Sequence, residues 1–187
     1  MNELDLEKSA LKLIGQRLAR VRYQRADWTE SGWQVPGHLG VHSVGVAVYL
    51  ETSLGAIHRV YWADELGLRH GFGISVSPIK VPHRDAGPIQ DLSVDPLWQP
   101  ILDNPITAAR IHWRDIRDSL RSSLSIGVAI CADHLSRQDY PQSLELVFQG
   151  GQQVFFSAAD LPPGDDPILF TNNILVLFGS PADPSLV

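Results

Sequence analysis

Trp28, Trp33, His38 and His42 fall within fifteen positions of a stretch rich in Gly and Pro, and Trp62 and His70 stand just before and near the end of the stretch 64–71 that follows. These are residue types that can do chemistry or hold a partner. Imidazole exchanges protons near neutral pH and ligates metals. Indole offers broad contact area with one polar atom. If the two stretches are loops that converge at one end of a sheet, the six residues form a concave site, with His38, His42 or His70 as base or ligand. The competing reading has the tryptophans closing the open end of a small core and the histidines making ordinary hydrogen bonds.

Other chemistries find less support. His38 and His42 are four apart, a helical spacing for metal ligands, but Gly37 and Gly40 argue against a helix there. No HExxH run, no pair of cysteines and no compact acidic loop accompanies them, so neither a metal nor a cofactor is expected. His112 and Asp115 are an odd number of positions apart and point to opposite faces of a strand. Cys131, the single cysteine, sits among small residues of an alternating run, and His134 has the opposite parity. Gly-x-Ser-x-Gly is absent. Asp64-Glu65 and Asp165-Asp166 lie in turn-like composition, where acids cap and solubilise. Gly71-Phe72-Gly73 lacks the spacing of a phosphate cradle. No catalytic residue is assigned.

The elements that would position these residues are mostly strands. Asn2–Arg20 opens as a helix, with Leu4, Leu11, Ile14 and Leu18 near a 3.6-residue repeat. Its end is expected near Gly15, with Leu18–Tyr23 already extended. Val44, Val46, Val48 and Leu50 alternate with smaller residues, Thr52–Gly55 turns the chain, and Ala56–Trp62 returns. Phe72–Val76 is a further strand. Residues 78–105 hold six prolines and form a connector. Ile106–Trp113 reads as a strand, Arg114–Arg121 as a short helical turn and Leu124–Cys131 as a strand. Leu144–Phe148 and Val154–Ala158 make a hairpin around Gly150-Gly151. Ile174–Phe178 is apolar on both faces and is placed centrally.

The second half also echoes the first. Leu13–Tyr23 lies without a gap over Ile101–Ile111, and each is followed by a loop, a hairpin and a closing strand. The expected fold is α+β, β-rich and mostly antiparallel, with a short N-terminal helix and two similar β-units from internal duplication. The units are 1–78 and 106–187, joined by the Pro-rich connector 79–105 or packed as one domain.

Composition narrows the function. Of 187 residues, 44% are apolar and 19% charged, as in ordinary globular proteins. Residues 1–90 carry ten Lys and Arg against nine Asp and Glu; residues 91–187 carry five against twelve. That acidic half argues against nucleic acid as partner. The acidic opening and the lack of a long apolar run argue against a signal peptide or a membrane span, and a cytoplasmic location is expected. Three readings follow. The first is a non-enzymatic protein-binding module of accessory or immunity-like role, its partner another protein, basic if the acidic half is the contact surface. The second is an enzyme or small-ligand protein using the Trp/His loops. The third is a self-associating structural component, a homo-oligomer paired through a free edge of the hairpin Leu144–Ala158.

Overall fold

The computed structural model describes residues 3–25, 33–35, 39–63, 73–82, 87–115, 139–160 and 168–179. The helix α1 spans Glu3–Leu11. It ends four residues before the expected stop: a turn (Leu13 N–H to the Ala10 carbonyl, Ile14 N–H to that of Leu11) carries the chain to Gly15, at φ +82°. Extended backbone then begins where the alternation requires it, in β1, Leu18–Gln24.

The remaining strands are β2 (Val41–Ser43), β3 (Ala47–Thr52), β4 (Ile57–Ala63), β5 (Gly73–Ile79), β6 (Ile89–Asp91), β7 (Ile106–Asp115), β8 (Asp139–Phe148), β9 (Gln153–Asp160) and β10 (Ile168–Phe178). They form two antiparallel five-stranded sheets, ordered β5-β4-β3-β1-β6 and β2-β10-β9-β8-β7. The fold is therefore β-rich α+β with one short N-terminal helix among the described residues. Arg114 and Asp115 end β7 rather than opening a helical turn, and Leu124–Cys131 lies outside the described residues. The hairpin Leu144–Ala158 has no free edge: β8 is paired with β7 and β9, and β9 with β10 as well.

One strand crosses between halves, and another ties the connector to the first. β2, from the first half, pairs with β10 of the last, and β6, from the connector, pairs with β1. The connector is also buried where it is least polar, with Leu92, Trp98 and Ile101 all at 5% exposure or less. One buried cluster draws on both sheets: Val21, Val48, Val60 and Val76 from the first, Leu144, Phe156, Ile174 and Val176 from the second. Each such side chain contributes about 1.5–3 kcal/mol through burial. The sheets approach closely where β5 starts. A Cβ on Gly73, at φ +122°, would stand 2.6 Å from the Pro141 carbonyl oxygen of β8.

The same backbone bonds recur in both halves. Gly15 N–H donates to the Ile106 carbonyl at 2.8 Å, and Asp103 N–H to the Leu18 carbonyl at 2.9 Å. Gly15 and Asp103 both have positive φ, +82° and +61°. Gln16 N–H bonds the Leu13 carbonyl as Asn104 N–H bonds that of Ile101. In the hairpin turns, Thr52 N–H bonds the Ala56 carbonyl and Phe148 N–H that of Gln152, both at 2.8 Å; Ser53 N–H reaches Arg17 as Gln149 N–H reaches Pro105. Arg17 and Pro105, which coincide in the sequence echo, form an isolated antiparallel bridge with each other. Four strands in each sheet follow the same serial order, β1-β3-β4-β5 and β7-β8-β9-β10.

Candidate functional site

Of the six aromatic and histidine candidates, the structure brings Trp33 and His42 together against one residue, Tyr23. β1 alternates inward and outward, which sends Tyr23 into the space between the sheets, 0% exposed. β2 delivers His42 from the opposite sheet, 3% exposed. Trp62 enters the core region from β4, with β3 between it and β1. Trp28, His38 and His70 lie outside the described residues.

The connector completes the cluster. Asp95 accepts a bond from Leu97 N–H on its side chain, and its carbonyl accepts from Trp98 N–H and Gln99 N–H. This turn aims Trp98 inward, where its Nε1–H donates to the Tyr23 hydroxyl at 2.7 Å. The Tyr23 oxygen lies 3.2 Å from His42 Nδ1. With Trp98 donating, the Tyr23 O–H is directed to Nδ1, which assigns the His42 proton to Nε2. That nitrogen faces Asp95 Oδ2 at 4.0 Å. Phe178 packs edge-on against both His42 and Trp98.

Electrostatics keep this chain of groups neutral but for Asp95. Burial lowers the His42 pKa from its ordinary value, and the Asp95 charge pulls it partly back. Burial likewise raises Tyr23 well above the usual phenol range; the Trp98 bond opposes this and Asp95 adds to it. A neutral imidazole held between a tyrosine hydroxyl and a carboxylate resembles a proton relay. At 0–3% exposure for Tyr23, His42 and Trp98, however, it ties β1, β2 and the connector together.

Trp33 stands on the rim of this network. Its ring meets Tyr23 edge-on at 5.0 Å, its Nε1–H donates to Gln90 Oε1 at 3.0 Å, and Arg25 lies over its face with Cζ 3.9 Å from the ring centre. Its carbonyl accepts from Ser43 N–H, fixing it to β2. The indole is half-buried and held from three sides.

A second polar cluster was not legible from spacing. Glu145 on β8, its side chain 5% exposed, accepts from Arg110 at 3.0 Å, His112 at 3.1 Å and Gln153 at 3.1 Å. Burial works to raise its pKa, but the Arg110 and His112 bonds and charges outweigh it and hold the carboxyl below its usual value. Three donors on one carboxylate leave it little capacity as a base. His112 finds its partner, Glu145, on the neighbouring strand, and a register shift between His112 and Trp113 interrupts the strand parity that set it apart from Asp115. Only the signal that His112 and Arg110 share a strand face was present in the sequence.

Among the described residues, no group of three or more His, Cys, Asp or Glu is placed to hold a metal ion, and no helix is long and apolar enough to cross a membrane. Comparison with family models, with curated proteins and with solved structures finds no match, so the functional reading rests on the site itself.

Proposed function

We propose that this chain is a protein-recognition module whose contact surface centres on Trp33 and the Arg25 guanidinium stacked on it. The observation that carries this reading is the immobilised rim indole. Trp and Arg dominate the energetics of protein interfaces, most of all when already fixed in the bound geometry. Trp33 is fixed by Tyr23, Gln90 and Arg25, while the imidazole behind it is committed to internal hydrogen bonds. The excess of acids in residues 91–187 favours a partner with a basic surface.

The test is affinity capture from the source cells at low and moderate salt, with the wild-type protein, Trp33→Ala and Arg25→Ala side by side. One stoichiometric protein retained by the wild type and lost from both variants is expected, with the melting temperature of Arg25→Ala unchanged as the folding control. Absence of any partner at either salt, or equal capture by all three proteins, overturns the reading.

The module is of duplicated build. Residues 1–78 and 106–187 are two copies of one unit, joined by 79–105 and related by an approximate two-fold axis between Arg17 and Pro105. The paired bonds of Gly15 and Asp103, the matching hairpin turns and the common strand order support this.

A further inference from the structure

On the outer face of the first sheet, Arg59 stands apart from every other arginine with a described environment. Arg20 pairs with Asp91 at 3.1 Å, Arg22 with Glu51 at 2.7 Å and Arg110 with Glu145 at 3.0 Å. Arg59, half-buried, makes no ion pair or hydrogen bond among the described residues. Its guanidinium lies over the Tyr61 ring, Cζ 4.4 Å from the centre, and its Nε is buried with no acceptor. Arg22 Nε is in the same condition. The two arginines are linked through the fully buried Tyr49, whose Cα pairs with both, so their backbones stand about 10 Å apart on one face. Ser77, the partner of Arg59 on β5, adds a hydroxyl on the same face.

A buried guanidinium N–H without an acceptor is costly, and two on one face call for an oxyanion. Stacking on Tyr61 fixes the plane of the Arg59 fork, whose terminal nitrogens have no acceptor among the described residues, and a fixed planar fork is what takes two oxygens side by side. Among the described residues, Arg20, Arg22 and Arg59 against Glu51 and Asp91 leave one positive charge in excess, which suits a monoanion better than a phosphate dianion. We propose that Arg59, with Arg22 and Ser77 beside it, binds a carboxylate, either of a small organic acid or of an acidic side chain on a peptide. The site is on the opposite face of β1 from Tyr23 and Trp33, so it stands or falls separately from the Trp33 surface.

Calorimetric titration of the full chain tests it, with butyrate as the small acid, an end-blocked peptide containing a single Glu as the peptide source, and inorganic phosphate as the contrast. Saturable binding of butyrate or of the peptide is expected, weakened at least tenfold in Arg59→Gln and several-fold in Arg59→Lys, which keeps the charge and loses the fork. Whichever of the two binds identifies the source. Arg20→Gln, at an exposed and already paired cation, is expected to change binding less than twofold. Failure of both carboxylates to saturate, phosphate binding in their place, or equal loss in Arg59→Gln and Arg20→Gln would each overturn the assignment; unchanged melting of Arg59→Lys guards against a folding artefact.

Discussion

The approaches to β1 and to β7 make the same hydrogen bonds with different side chains. Gly15 and Asp103 both turn the chain through positive φ and both reach across to the other half. Yet three residues ahead of the matching core positions Leu13 and Ile101 stand Ala10 in one half and Trp98 in the other, and Tyr23 is matched by Ile111. The hydroxyl and indole of the buried network thus belong to positions that are apolar in their counterparts. Backbone bonding recurs because either sheet needs it; the side chains differ, with the Tyr23–Trp98 network on one side and the buried Gln142, Glu145 and Ser157 on the other.

The comparison can be broken most severely at Gly73. Asn173, which precedes Ile174 in β10 as Gly73 precedes Ile74 in β5, carries a full side chain bonded to Ser43. Gly73→Ala drives a Cβ into the Pro141 carbonyl and is expected to destabilise by about 3 kcal/mol or more, read as the denaturation midpoint. An unchanged midpoint would mean that the sheets are not pressed together there. Tyr23→Phe makes the network resemble the other half. It strands the Trp98 N–H, and a loss of about 2 kcal/mol is expected, with far less from Ile111→Val.

Acid should expose the same asymmetry. His42 and His58 both have pKa values lowered first of all by burial, so the unfolded chain binds protons that the native one refuses. Their contribution is complete above the ordinary histidine pKa of about 6.5 and declines as pH falls through that value toward the lowered native ones. Melting followed between pH 7.5 and 5 is expected to show this decline, and His42→Gln to flatten it. Asp91 acts lower on the scale. Burial opposes its ionisation, but the Ser93 bonds and the Arg20 and Arg22 charges prevail, so its stabilisation fades only as pH falls below the usual carboxylate range. The smallest effect concerns the matched turns. Gly15 has open space around its Cβ position, so Gly15→Ala carries only the backbone cost, about 1 kcal/mol, and Gly15→Asp less, since Asp tolerates this conformation at Asp103. Equal losses would separate the two turns energetically.

Local order was readable from the residues. Alternation located β3, β4 and β7–β9, Gly150-Gly151 marked a real turn, and the two-faced apolar run of Ile174–Phe178 does lie between two neighbours. Helix length was overread because Ile14 and Leu18 continue an apolar spacing that the turn before Gly15 interrupts. The site was half legible. Trp33 and His42 were singled out, but their meeting point is Tyr23, and the groups that fix it, Asp95 and Trp98, come from a connector whose prolines signalled only irregularity. Periodicity reports which face a side chain takes, not which distant strand will sit opposite. For the same reason Glu145 carried no mark of its Arg110 and His112 partners.

The crossing of β2 into the second sheet has a consequence in time. His42 pairs with Val176, and the strand that receives it is made long after β2. At ordinary translation rates the roughly 130 residues between them take about 7–25 seconds to emerge. Through that interval Tyr23 and Trp98 can already meet, but β2 has no sheet to join. The first half of the chain must hold an unpaired strand and a bare imidazole until β10 emerges, and closing that stitch is the step that ties the first half into the second sheet.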